Sequence, residues 1–311
     1  MTQIYECFQI TVADQIAHLQ LSRPEKANSL NLSFWSEFPQ VIQQLNKTGQ
    51  IRALIISGQG KVFCGGLDLD MFSNQTEFHA ANAIDREGII QSLSLMQDAL
   101  TCLEKVRFPV IAAVHGSCVG AGFDLIAACD FCFVSNQAKF RIEETNIGMM
   151  ADIGVLQRLP HQIPFNIARY LALTGDTLTA EDAYRLGLAV KVLETPEALL
   201  EHAFVVARNI ASKPPIAIQG INQLDIVVTI HEASLKKQNF GQLANAFVKV
   251  VDTDTGNIVL QYNLAEQYST ETAVLIASLY RNDERDLVFK AEGGGFAVGL
   301  DAFCVEYGLS V

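Results

Sequence analysis

His115-Gly116-Ser117-Cys118-Val119-Gly120-Ala121-Gly122-Phe123-Asp124-Leu125-Ile126-Ala127-Ala128-Cys129-Asp130 is the stretch that decides the fold. It follows Phe108-Pro109-Val110-Ile111-Ala112-Ala113-Val114, an apolar run that reads as a buried strand. Its glycines permit a tight turn, and an apolar helix comes next. A strand that turns through glycine into a helix collects unpaired backbone N–H groups and the positive dipole end at one spot. Such a spot suits a developing negative charge. It is not a dinucleotide fingerprint, because the last glycine of G-x-G-x-x-G would fall at Leu125.

Upstream, the chain repeats this alternation. Ile16 to Leu21 alternates apolar and polar residues as a strand does, and Arg23-Pro24-Glu25-Lys26 ends it. Leu32 to Leu45 carries Phe34, Phe38, Val41, Ile42 and Leu45 at helical spacing, with Ser33 placed to cap it. Ala53-Leu54-Ile55-Ile56-Ser57 is a short apolar strand, and residues 81–105 read as a long helix. Continuous apolar strands alternating with helices predict an α/β architecture. A second glycine-rich loop, Phe63-Cys64-Gly65-Gly66-Leu67-Asp68-Leu69, follows the second of these strands. Beyond about residue 222 the texture changes. Period-two segments at 226–230, 247–251 and 258–262 are separated by acidic turns, which predicts an antiparallel β region over 223–311.

Composition narrows the function. The chain has 311 residues, 50% hydrophobic and 18% charged, with a net charge of -12. That supports a sizeable core and excludes a general binder of nucleic acid or of anionic membrane, both of which need a basic surface. The 7 cysteines are odd in number and scattered, which predicts free thiols and a reducing, cytoplasmic setting. Cys129-Asp130-Phe131-Cys132 lacks a second pair and reads as a strand with buried thiols, so no metal site is expected. His115 reads as a hydrogen-bonded loop residue. No serine sits in a G-x-S-x-G elbow. More informative are the carboxylates Asp124, Glu143, Glu144 and Asp152, set in or beside apolar runs, where acids are rare unless paired or functional.

Taken together, these elements resemble the crotonase (enoyl-CoA hydratase/isomerase) superfamily over about 1–220. The resemblance rests on Arg23-Pro24-Glu25-Lys26-Ala27-Asn28-Ser29-Leu30, the 63–69 loop, the 115–130 run, Gly154-Val155-Leu156-Gln157-Arg158-Leu159-Pro160 and residues 180–189. It implies a crotonase-like ββα spiral over 1–222 that binds acyl-CoA thioesters and holds an enolate on two backbone N–H groups. The matching positions here are Leu67 and Ala121, the latter usually a glycine. Acids at Asp124 and Glu144 resemble the hydratases. A third acid, Asp152, in a segment similar throughout from Glu144 to Gly154, resembles the dienoyl-CoA isomerases of fatty acid β-oxidation. The resemblance implies that Asp152 is the base and Glu144 the acid in converting 3,5-dienoyl-CoA to 2,4-dienoyl-CoA, with no cofactor. Arg23, Lys26 and Lys61 are the expected positive patch for the CoA phosphates.

After Gln219 the chain departs from that family, whose C-terminal helices complete a trimer. Residues 224–311 instead resemble the C-terminal half of the TerD (tellurium-resistance) family, a β-sandwich. This is carried by Gln238-Asn239-Phe240-Gly241-Gln242, Asn245-Ala246-Phe247-Val248, Tyr268 to Ala273, Glu292 to Ala297 and Glu306-Tyr307-Gly308. The expectation is a partial TerD-like sandwich with unpaired edges and no calcium ligands carried over. Two other readings stand beside the isomerase: an enoyl-CoA hydratase, and a TerD-like stress or metal-binding module on an inactive crotonase scaffold. A homo-oligomer is compatible with the first two, although the trimer helices are missing.

Overall fold

The computed structural model describes residues 2–73 and 83–215, then 218–219, 223–230, 237–242, 247–251, 258–264, 270–281 and 287–296. Residues 81–82 of the expected helix, the acidic turn at 252–256, and positions 245–246, 268–269, 297, 304 and 306–308 lie outside the described residues. Two compact units are present, Met1–Ser212 and Lys213–Val311, so the division falls earlier than the seam at 222 read from the sequence.

The first unit opens with β1 (Thr2–Ile4), β2 (Phe8–Ala13), β3 (Ile16–Leu21), α1 (Leu32–Lys47) and β4 (Ala53–Gly58). Next come α2 (Asp70–Ser73), α3 (Ala83–Thr101), β5 (Val110–Val114), β6 (Ser117–Val119), α4 (Ala121–Ala127), β7 (Phe131–Ser135) and β8 (Lys139–Arg141). It closes with α5 (Val155–Arg158), α6 (Phe165–Thr174), β9 (Leu178–Thr179), α7 (Ala180–Leu186), β10 (Ala189–Leu193) and α8 (Pro196–Ala211). The large sheet runs β1-β2-β3-β4-β5-β7-β10. It is antiparallel from β1 to β3 and parallel from β3 onward. A smaller sheet has the order β6-β8-β9. Hence β5, β6 and α4 form one ββα unit, and β7 and β8 begin the next, as the spiral requires.

Every residue of β4 and β5 is buried. The reason is that both sheet faces are covered, the usual condition of a parallel sheet. On one face, Leu54, Ile56, Val110, Ala112 and Val114 pack with α1 and the end of α3. On the other, Ala53, Ile55, Ile111, Ala113 and Phe133 pack under Leu199, Ala203 and Ala207 of α8. The period-two side chains of the strands thus serve two cores.

Two local details differ from the sequence reading. The cap of α1 is Asn31, whose side chain accepts from the Phe34 N–H; Ser33 donates to Glu6 instead. Asn31 has extended dihedrals, which an N-cap requires, while Ser33 already lies inside the helix. Cys132 is on β7, but Cys129 sits in the turn before it. Both thiols are buried, and the described cysteines are all free.

In the second unit, β11 (Gln223–Thr229), β14 (Ala273–Arg281) and β15 (Leu287–Phe296) make an antiparallel sheet. β12 (Phe247–Val251) and β13 (Ile258–Asn263) make an antiparallel pair. A small core gathers Phe240, Leu264, Val274, Ile276 and Ala277. The β region expected after residue 222 is therefore present.

Gly122 is where the fold bears on the loop at 63–69. A Cβ there would lie 2.7 Å from Cys64 Cβ and 3.1 Å from Cys64 O, so α4 presses directly on that loop. Alanine is a better helix former than glycine by about 1 kcal/mol. Even so, Gly122→Ala should lower the thermal unfolding midpoint, because strain against buried Cys64 outweighs propensity. A midpoint equal to or above that of the parent would show that α4 can move away freely.

Candidate active site

The two glycine-rich loops meet. Gly66 has φ +98, and a Cβ on it would stand 3.0 Å from Val119 O and 3.7 Å from Ala121 N. Gly120 has φ +52, and a Cβ on it would stand 3.9 Å from Gly66 Cα and 3.1 Å from Glu144 Oε1. Two backbone segments approach this closely only where neither carries a side chain. Bridges between Leu30 and Leu67 and between Cys64 and Cys118 lock the arrangement.

The consequence falls on the next residue of each loop. Leu30 N–H donates to Gly66 O, and Asp68 N–H donates to Leu30 O, so the Leu67 N–H points away from that pairing. Ala121 is the first residue of α4, where an N–H has no intrahelical acceptor. Among the described residues neither amide has a hydrogen-bond acceptor. The structure therefore brings Leu67 and Ala121 together beside Glu144, at the positive end of a short buried helix.

Three carboxyls stand around this spot. Asp124, one turn into α4, is 0% exposed; its Oδ1 accepts from Val155 N–H at 2.6 Å and its Oδ2 has no partner. Burial, followed by the charge of Glu144, pushes its pKa up to about 8. The Val155 N–H and Arg158 pull the other way, and Asp152 adds to the rise. Glu144 opens a 3-10 turn, is buried, and has an unpartnered Oε2. Burial raises its pKa, and the Asp152 charge also raises it. Asp152 is only half-buried, and burial raises its pKa too. The mutual influence of the three places them in one electrostatic neighbourhood. Among the described residues no group of three His, Cys, Asp or Glu is arranged to hold a metal ion.

Of the three basic positions, Arg23 and Lys26 pair with acids just after Leu67, and the three differ in state. Arg23 is mostly buried, paired with Asp68 at 2.9 Å, and donates to Ser29 O at 2.9 Å. It fastens the residue after Leu67, which leaves little of its charge for a ligand. Lys26 pairs with Asp70 at 3.3 Å on the surface, a contact worth about 0–1 kcal/mol. Lys61 is exposed. His115 Nε2 lies 3.0 Å from Gly60 O, the loop role read from the sequence. Gln97 and Arg158, which contact the Asp152 segment, were not singled out by sequence reasoning. Gln97 binds a backbone carbonyl, and Arg158 meets the side chains of Glu104 and Thr101, 54 and 57 positions away, so neither role leaves a local motif.

The enoyl-CoA hydratase/isomerase family profile matches residues 11–257. The chain belongs to the enoyl-CoA hydratase/isomerase family, and it is an enzyme of that family. A TerD domain profile matches residues 216–307, overlapping the first match. Among curated relatives, the mitochondrial Delta(3,5)-Delta(2,4)-dienoyl-CoA isomerase of Mus musculus is 36% identical over 266 residues, which is 80% of this chain and 81% of the relative. The peroxisomal Delta(3,5)-Delta(2,4)-dienoyl-CoA isomerase of Arabidopsis thaliana is 35% identical, covering 74% of this chain and 89% of the relative. Among solved structures, an enoyl-CoA hydratase from Bacillus anthracis superposes with a TM-score of 0.63 at 30% identity, over 69% of this chain and 80% of that one. No described helix is long and apolar enough to cross a membrane.

The buried acid has a pH signature. An unfolded Asp titrates near about 3.9, whereas folded Asp124 holds its proton to about 8. Folding therefore favours the protonated form. The stabilisation from that proton is complete below about pH 4 and is lost as pH rises through about 8. Asp124→Asn mimics the protonated acid and still accepts from Val155. Its melting temperature relative to the parent should climb between about pH 4 and about pH 8. A difference that stays flat over that window would mean that Asp124 is ionised in the fold.

Proposed function

We propose that this enzyme isomerises 3,5-dienoyl-CoA to 2,4-dienoyl-CoA. The observation that carries the reading is the third acid, Asp152, close enough to Glu144 to raise its pKa beside the two free amides. Moving two double bonds requires a base at the carbon next to the thioester and an acid at the far end of the diene. Removing the proton from C2 sends charge onto the thioester oxygen, and the Leu67 and Ala121 N–H groups receive it. Such donors contribute about 2.7–4 kcal/mol each. Protonation at C6 then gives the 2,4-diene.

The environments divide the labour. Asp152 is the more exposed acid of the pair, so burial opposes its charged form less, which suits the base. Glu144 is buried and keeps its proton to higher pH, which suits the acid. Asp124, protonated near neutrality, adds no competing negative charge beside them. Carboxyls and amides suffice for this proton transfer, so no cofactor is invoked. Lys26 and the exposed Lys61 would meet the CoA phosphates, while Arg23 holds the loop itself through Asp68. Free cysteines throughout the described residues fit a reducing compartment, and the cytoplasm is our assignment.

Asp152→Asn should reduce isomerisation by roughly 10²–10⁴-fold, the usual contribution of a general acid–base group. The rise in conjugated dienoyl thioester absorbance after mixing with 3,5-dienoyl-CoA is the assay. If Asp152→Asn matches the parent, and the parent adds water to 2-enoyl-CoA through Asp124 and Glu144, the enzyme is a hydratase.

A further inference from the structure

We infer that Gln97 and Arg158 are positioning residues that brace the loop carrying Asp152 against α3, an inference that rests on Asp152 being the base. Residues 148–154 contain no helix or strand, and glycines with positive φ, Gly148 at +79 and Gly154 at +133, mark both ends. Left alone, such a segment would not hold a carboxylate to the tolerance that proton transfer needs.

The loop is instead pinned group by group. Gln97 Nε2 donates to Asp152 O at 2.6 Å. Arg158 Nη1 donates to Ile153 O at 3.4 Å. Val155 N–H donates to Asp124 Oδ1. Arg158 Nη1 comes up against Gly154, where a Cβ would lie within 1.8 Å of it, so the absence of a side chain makes room for the guanidinium. Its other nitrogens reach Glu104 at 2.9 Å and Thr101 Oγ1 at 2.9 Å, and Thr101 Oγ1 donates to Gln97 O at 2.8 Å.

Gln97, Thr101 and Glu104 recur at the spacing of one helix face, continuing from α3 into the 3-10 turn after it. Thr101 and Arg158 are buried, at 7% and 8% exposure. A core-facing helix would ordinarily present apolar residues at such places. Here they form a connected polar network in which each donor has an acceptor, the condition under which a buried network adds rigidity. It converges on the two carbonyls, Asp152 and Ile153, that set the direction of the Asp152 side chain.

The test compares Gln97→Met, which keeps length and volume but removes the donor, with Gln97→Lys, which keeps a donor and adds charge. Gln97→Met should lower kcat for dienoyl isomerisation roughly ten- to a hundredfold with KM unchanged, the scale of a misplacement near 1 Å. Water addition to 2-enoyl-CoA, which does not use Asp152, should change little. Gln97→Lys should recover much of kcat and move the acid limb of its pH profile to lower pH, because a nearby cation favours the Asp152 carboxylate. Parent-like kcat in Gln97→Met, or an equal fall in both reactions, would overturn the brace. If the parent chain does not isomerise at all, the proposed function fails by itself, and amide hydrogen exchange over 152–155 decides the brace. Faster exchange in Gln97→Met supports it, and unchanged protection overturns it.

Discussion

The site depends on one contact, the backbone-to-backbone approach of the Cys64–Leu67 loop and the start of α4. Gly66 and Gly122 each leave out a side chain where the other segment passes within 2.7–3.0 Å of the missing Cβ, and at Gly120 the missing Cβ would meet Glu144 at 3.1 Å and Gly66 Cα at 3.9 Å. From that approach follow the two free amides, their alignment with the positive end of α4, and the place of Glu144 against Gly120. The large sheet serves this contact by delivering β4 and β5 side by side, so that the loops leaving them are neighbours.

Around the contact the protein gathers acids rather than bases. Isolated buried carboxylates are costly to ionise, and the raised pKa values of Asp124, Glu144 and Asp152 express that cost. On the proposed chemistry, a site that first takes a proton and then gives one uses this directly. Burial opposes ionisation more at Asp124 and Glu144 than at Asp152, the acid of the three with the most access to solvent. Arg158 tempers the effect on Asp124, while Glu104 occupies most of its guanidinium, so the charge balance of the loop is kept inside one network.

Much of this was legible in the sequence because it was written in apolar runs and glycines. The β4 and β5 strands, the helix after Gly120, and the change of texture after residue 222 all leave local patterns. The pairing of Arg23 with Asp68 left none, since the partners are 45 positions apart in number and meet only through the sheet. For the same reason Arg23 reads in the sequence as part of a positive patch for the CoA phosphates, and in the fold it is paired with Asp68. The Asn31 cap was missed by a displacement of two residues, because Ser33 and Asn31 are equally good caps and only the dihedrals separate them. Gln97 was invisible because it recognises a carbonyl group, which every residue has, and Arg158 because its side-chain partners Glu104 and Thr101 lie 54 and 57 positions away.

The proposed chemistry requires the Leu67 and Ala121 amides to polarise a thioester carbonyl. The infrared stretch of that carbonyl in a bound, unreactive acyl-CoA measures this directly. It should shift to lower frequency on binding to the parent chain. The shift should shrink in Ala121→Pro, which removes one N–H at a helix position that tolerates proline. A carbonyl that binds without any shift, or that shifts equally in Ala121→Pro, would contradict the account.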